Sequence, residues 1–272
     1  MLKFKLESRI HRAAMLIAMI TFGIGSYFAT SWSDDSNKAM ATDHDNLGYR
    51  THSITFKVGK VYEITSFTIK EGKQEQLNKE YFPRVMPLVA EYGGVSLGMF
   101  RVTRKIAGEI DGQMLAVFEW PSLAVKNEFH GDPRFLKISP LRDDALSYFK
   151  PGFYEVGQDV TVTFKDNKTY EFFGAWFAPE SDEALKQYFA VSEPIKRSYG
   201  RPYPEIMVIL SPAKGQGADA YAPHMTGIVE WDKGDDYFIL TSNERFETEA
   251  APLLGKAVAK MDMVQAKVII RR

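Results

Sequence analysis

The chain has no cysteine among its 272 residues, which excludes disulfides, thiolate metal sites, iron–sulfur clusters and cysteine nucleophiles. It also lacks an excess of either charge sign: 34 basic side chains face 35 acidic ones, so no net field recruits nucleic acid or an acidic membrane to the folded part. No phosphate-binding glycine loop is present, since Gly215-Gln216-Gly217 has neither the preceding strand nor the following helix that such a loop needs. Gly94-Val95-Ser96-Leu97-Gly98 has the Gly-x-Ser-x-Gly spelling but runs from an expected helix end into an expected strand, not through the strand-to-helix turn of a nucleophile elbow. What remains is 45% apolar and 13% aromatic, without a low-complexity tract, a composition that builds compact cores held by packing.

Long apolar runs are also scarce, with one exception. Lys3, Lys5, Arg9 and Arg12 precede the uncharged stretch from Ala13 to Trp32, and Asp34 and Asp35 follow it. A basic flank before an apolar segment is the pattern of export with the amino terminus left inside. Residues 1–32 are therefore expected to be a signal peptide or a membrane anchor, with Ala29-Thr30-Ser31 the best cleavage site and the choice between the two open. Residues 33–52 are polar and without apolar period, as in a tether. The expected location is extracytoplasmic or periplasmic, soluble or held at the membrane through residues 13–32.

The rest of the chain reads as two copies. Ile54 to Phe67 recurs as Val162 to Phe177, Met86 to Gly94 as Glu193 to Arg201, and Ala116 to Ser122 as Gly227 to Lys233, at an offset of about 110 residues, roughly the size of a small domain. In the first copy, Lys60 to Ile69 is β-branched and aromatic, hence a strand. Leu77, Tyr81, Val85, Leu88 and Tyr92 then recur at helical spacing until Gly93-Gly94 ends the helix. Strands follow at 95–104 and 113–120, a broken helix to about Tyr148, and a last strand at 153–156. The second copy repeats the order: strand 169–178, helix 182–199 capped by Ser181, strands 205–210 and 225–231, helix 250–260 and strand 264–270. Each copy is thus β-α-β-β-α-β, the ferredoxin-like order. Helices cover one sheet face only, so the expectation is an α+β chain whose two units, 53–157 and 158–272, pack sheet to sheet. Pro87 and Pro194 fall inside the two first helices and are expected to bend them.

Three runs in the first copy carry a family pattern: Tyr92-Gly93-Gly94 at the helix end, Glu119-Trp120-Pro121-Ser122 at a strand end, and Asp132-Pro133-Arg134-Phe135 in the following helix. With these, the stretch from Lys60 to Val156 resembles the DUF1330 family of the dimeric α/β-barrel superfamily. The second copy departs from it, with Arg201 for Gly94, Asp232 for Pro121 and Asn243-Glu244 for the Asp-Pro run. The resemblance implies two ferredoxin-like units forming a barrel within one chain. It lends no reaction, since the wider superfamily includes cofactor-independent monooxygenases, isomerases and haem enzymes.

Glu119 and Glu230 are the leading candidates for chemistry. Each ends an apolar strand beside a tryptophan, and alternation places Glu119 on the face of Leu115 and Val117. A desolvated carboxylate there suits general acid or base work, and one paired to a donor would instead fix a corner. His130 and His224 fall in the expected folded body at positions that do not correspond and in no metal-ligand spacing. Tyr62, Trp120, Tyr170, Trp176 and Trp231, with Phe67 and Phe172, lie on expected strands and could line a pocket for a flat apolar ligand or fill the core. The sequence therefore points to an exported protein that binds a small apolar or aromatic molecule between its sheets. A monooxygenase- or isomerase-like enzyme and a membrane-tethered interaction module are the alternatives. No cofactor, metal or nucleic acid is expected, and assembly into an oligomer stays open.

Overall fold

The computed structural model describes residues 48–179, 181–217 and 220–270. The segment of residues 1–32 expected to direct export, and nearly all of the expected tether, lie outside them. Among the described residues, ten strands and a set of helices make up the body. In chain order these are β1 (Thr51–Phe56), β2 (Val61–Ile69), α1 (Phe82–Glu91), β3 (Val95–Ala107), β4 (Met114–Trp120), α2 (Leu123–Gly131), α3 (Pro133–Ala145) and β5 (Leu146–Glu155). Then follow β6 (Val160–Lys165), β7 (Thr169–Phe177), α4 (Ser181–Ser198), β8 (Glu205–Pro212), β9 (Met225–Trp231), α5 (Asp236–Thr241), α6 (Ala251–Ala257) and β10 (Val258–Val268). A π-helical turn precedes α1 at Leu77–Tyr81 and another precedes α6 at Phe246–Ala250.

Eight strands close into one antiparallel barrel in the order β10-β3-β4-β2-β5-β8-β9-β7. Around the closed barrel, β3-β4-β2-β5 is followed in the same direction by β8-β9-β7-β10, so the order of elements is the same in both sets. The sets join at two seams. One is short, Tyr154 opposite Pro212 and Glu155 opposite Ser211, and the other runs along β10 and β3 from Met263 opposite Ala107 to Val268 opposite Phe100. Closure of this kind leaves no unpaired edge.

Alternation decides what fills the barrel. Tyr62, Ile64, Leu115, Val117, Phe100, Tyr154, Tyr170, Phe172, Leu210, Ile228 and Ala266 point inward and are buried. At the centre, the ring of Phe100 lies 4.9 Å from each of the Phe164 and Phe172 rings, edge to face, an arrangement favoured by the ring quadrupoles. Phe164 belongs to a stretch without an expected strand. Strands β1 and β6 pair as a separate antiparallel ribbon over one end of the barrel. Ile54, Phe56, Val162 and Phe164 face the core, while Ser53 bonds Thr163 and Thr55 bonds Thr161 at 2.9 Å on the wet face. This ribbon starts at Thr51, inside the expected tether, and its period-two alternation is the signal that identifies it.

Helices cover the outside. Val85, Leu88 and Val89 of α1 pack with Trp120 and Val61 on one set of strands, and Ile195 of α4 packs with Val229 and Trp231 on the other. The helix end at Tyr92-Gly93-Gly94 has a steric cause. Gly93 has φ +70°, and a Cβ on Gly94 would meet Val89 Cγ1 at 2.7 Å and Trp120 Cζ3 at 2.8 Å, so the chain turns against the tryptophan only without side chains. Other expected boundaries shift. The helix placed up to Tyr148 ends at Ala145, because Leu146 is already extended and Tyr148 pairs with Thr68. Strand β10 begins at Val258, ahead of the expected 264, because it pairs with β7 from Phe177 onward. Among the described residues no helix is long and apolar enough to cross a membrane.

Candidate functional site

The repeated Tyr-Glu and Glu-Trp dipeptides meet across neighbouring strands. In β2 and β4, Tyr62 stands opposite Glu119 and Val61 opposite Trp120; in β7 and β9, Tyr170 stands opposite Glu230 and Thr169 opposite Trp231. Alternation then splits each dipeptide between the two sheet faces. On the barrel side, the Tyr62 hydroxyl donates to Glu119 Oε2 at 3.1 Å and the Tyr170 hydroxyl to Glu230 Oε2 at 3.2 Å. On the helix side, Trp120 Nε1 donates to Glu63 Oε2 at 3.0 Å and Trp231 Nε1 to Glu171 Oε2 at 3.1 Å.

These bonds give each group a structural task. Glu119 is met by a phenol, and Glu230 by a phenol and by Lys165 Nζ at 3.3 Å. The backbone N–H of Lys57 and of Lys165 donates to the respective tyrosine oxygen, tying the ribbon turns to the barrel. Burial, with the nearby glutamate adding, holds both phenols far above their ordinary pKa, so each stays a neutral donor. The carboxylate that desolvation pushes up, to about 7, is Glu171, under the helices. Trp120 and Trp231 also lie there, which corrects their expected place on a pocket between the sheets. That space is filled by side chains, Tyr62 and Tyr170 included.

Both histidines expected in the body are engaged by neighbouring groups. His130 stacks on Phe135 at 4.9 Å beneath the helices, and burial, with the Lys126 and Arg142 charges adding, pushes its pKa down to about 4. His224 Nδ1 accepts the Phe177 N–H at 2.9 Å, and burial lowers its pKa too. A third histidine, His52, belongs to β1 and bonds the Leu97 carbonyl oxygen. Among the described residues no group of His, Asp and Glu could hold a metal ion.

The opening lies at the other end of the barrel, away from the ribbon, under the β3–β4 and β8–β9 loops. A cavity of about 50 Å³ there is lined by two corresponding cross-strand rows, Leu115-Ser66-Lys150 and Thr226-Gly174-Asp262. Asp262 is 2% exposed, Ser66 3% and Thr226 6%, and Asp262 Oδ2, Ser66 Oγ and Thr226 Oγ1 have no hydrogen-bond partner in the protein. The phenols of Tyr221 and Tyr154 approach Asp262 and Thr226 without completing a hydrogen bond. The second oxygen of Asp262 accepts the Glu109 N–H at 2.7 Å. Gly108 makes this approach feasible, since with φ +80° its Cβ would sit 1.9 Å from Asp262 Oδ1. Tyr221 roofs the cavity from the β8–β9 loop, and its ring meets that of Trp176 at 5.4 Å, which brings this expected aromatic to the rim. Burial, with Tyr154 and Asp262 adding, holds the Tyr221 phenol neutral. A wider open hollow of about 480 Å³, lined by Arg104, Lys105, Gln113 and Tyr148, adjoins the cavity across Ile110 and Val264, which border both.

Asp262 lies just ahead of the strand expected from residue 264. Extended back by two residues, the same alternation puts Asp262 on the inward face with Val264, Ala266 and Val268.

Comparison with known proteins adds the following. The model of the family described as "Domain of unknown function (DUF1330)" matches residues 60–148. No curated protein matches the chain. Among solved structures, an anthrone oxidase-like protein is 13% identical with a TM-score of 0.51, over 81% of this chain and 95% of that one. A heme-binding protein from Thermus thermophilus is 11% identical with a TM-score of 0.46, over 81% and 94%. A mutant chlorite dismutase from Candidatus Nitrospira defluvii is 8% identical with a TM-score of 0.43, over 78% and 92%. Residues 60–148 thus match the DUF1330 family, and the barrel they help to build has the fold of the dimeric α/β-barrel proteins.

Proposed function

We propose that this chain is an exported small-molecule-binding protein, built from two ferredoxin-like copies, whose site is the polar cavity around Asp262. One observation carries the binding reading. Three side-chain oxygens more than nine-tenths buried, from Ser66, Thr226 and Asp262, converge on one cavity without a protein partner. A buried polar atom left unpaired costs about 1–3 kcal/mol, so three in one place are retained where a bound molecule satisfies them. The site sets these three oxygens in a largely apolar wall at one end of the barrel, while rings fill the middle, where the aromatic residues led one to expect a slot. The copy reading is supported by the matching strand order and by the two crossed Tyr–Glu and Trp–Glu sets. Export is supported by the basic flank and the uncharged run Ala13 to Trp32.

Two measurements test this reading. Thermal-shift screening of polar small molecules against wild type and Asp262→Asn is expected to find ligands that raise the melting temperature of wild type alone. A screen in which no ligand depends on Asp262 removes the cavity as a site. Separately, a reporter active only in the cytoplasm, fused after Arg50 in a bacterial host, is expected to stay silent, and a strong signal ends the export reading.

A further inference from the structure

We infer that the ligand of the Asp262 cavity carries a primary ammonium group, an inference that rests on the binding reading above and adds the chemical class. A primary ammonium presents three N–H donors and one positive charge. The cavity offers three oxygens able to accept, Asp262 Oδ2, Ser66 Oγ and Thr226 Oγ1, and one of them belongs to a carboxylate. Donors and acceptors match in number and charge, and a charge-assisted bond to the carboxylate is the strongest of the three. The other classes fit less well. A carboxylate or phosphate would face Asp262 directly, and a neutral alcohol would leave the buried charge without a counter-charge.

Lys260 and Lys150 do not fill this role. Lys260 Nζ is held by Glu109 Oε2 at 2.8 Å at the rim, with the Trp176 ring 4.9 Å away. Lys150 lines the cavity with an exposed side chain, and its Nζ lies 5.5 Å from the centre of the Tyr221 ring, with no salt bridge to Asp262. The aromatic walls favour a cation as well, since Tyr154, Tyr221 and Phe172 offer ring surface around the carboxylate. Size sets the limit: about 50 Å³ takes only a few water-sized positions, enough for an ammonium head with a short aliphatic stem. A longer stem would leave past Ile110 into the adjoining hollow.

Calorimetric titration of the full chain with ethylammonium, ethanol, tetramethylammonium and acetate, at matched ionic strength, tests the inference. Ethylammonium is expected to bind, and the other three to bind at least about tenfold more weakly or not at all. Asp262→Asn keeps the oxygen that accepts from Glu109 and should abolish ethylammonium binding. Ser66→Ala and Thr226→Val keep the carboxylate, serve if the first variant fails to fold, and should each weaken binding severalfold. Lys150→Met removes a competing positive charge and should tighten it. Equal binding of ethanol and ethylammonium, or ethylammonium binding unchanged by all three cavity variants, overturns the inference. If acetate or ethanol binds instead, and loses affinity with Asp262→Asn or Thr226→Val, the ammonium class falls while the cavity stands as a site. If none of the four probes binds and the thermal-shift screen also finds no Asp262-dependent ligand, both readings fall.

Discussion

Replacing Phe100 with Ala is expected to lower stability by about 3–5 kcal/mol, read as a fall of roughly 10 °C in melting temperature for a body of this size. Phe100 is 0% exposed, and its ring meets those of Phe164 and Phe172 at 4.9 Å and Tyr170 at 6.3 Å. Truncation removes the transfer energy of a whole ring and leaves a void whose walls come from β6 and β7. Those walls are held by strand pairing and cannot collapse far. The same variant makes the space that the native barrel denies to a flat apolar ligand. Benzene or indole should therefore stabilise Phe100→Ala and leave the wild type unchanged, since dry apolar voids take up such molecules. A wild type that binds either one in its barrel would show that the aromatic core opens. A loss below about 1 kcal/mol would mean that the ring is not a keystone of the packing.

Glu171→Gln is expected to stabilise the protein by about 3 kcal/mol at pH 8 and to change it little at pH 4. Desolvation raises the Glu171 carboxyl from 4.5 to about 7, against the opposing pull of the Trp231 indole and the Lys196 charge. The folded chain therefore binds this proton more tightly than the unfolded chain does. Below pH 4.5 both states are protonated, and the carboxyl carries no penalty. Between pH 4.5 and 7 stability falls as pH rises, and above 7 the full cost of the buried charge remains, the difference of about 2.5 between the two pKa values corresponding to about 3 kcal/mol. Glutamine keeps an oxygen for Trp231 Nε1 and removes the charge. The other buried glutamate, Glu63, also receives Thr65 Oγ1 at 2.8 Å, a donor that β7 replaces with Phe173. Denaturant unfolding of wild type and variant from pH 4 to pH 9 checks the sign. A wild type whose stability rises through pH 5–7 relative to the variant would refute it.

The order of strands and helices is legible in the chain because each kind of element has its own signal: steps of three and four residues from Leu77 to Tyr92, a β-branched and aromatic run from Lys60 to Ile69. Cross-strand register was not legible. That Tyr62 meets Glu119 depends on which residue of β2 stands opposite which residue of β4, and no local pattern encodes that pairing. The placement of Trp120 was within reach, since alternation alone puts it on the face opposite Glu119. Asp262 was lost at a boundary: a polar residue at the start of a strand reads as the loop before it, and the two companions that explain it, Ser66 and Thr226, are contributed by other strands far away in the chain. The cavity exists only once the barrel is closed.

The facing rows Leu115-Ser66-Lys150 and Thr226-Gly174-Asp262 have a consequence for stoichiometry. A barrel assembled from two identical chains has a twofold axis, and every residue at its mouth appears twice. Such a barrel offers two aspartates or none, and two equivalent orientations for whatever binds. Here Lys150 occupies in one row the place that Asp262 holds in the other. Covalent linkage of the two halves lets the cavity be lined by a single carboxylate, and with it one binding orientation per molecule.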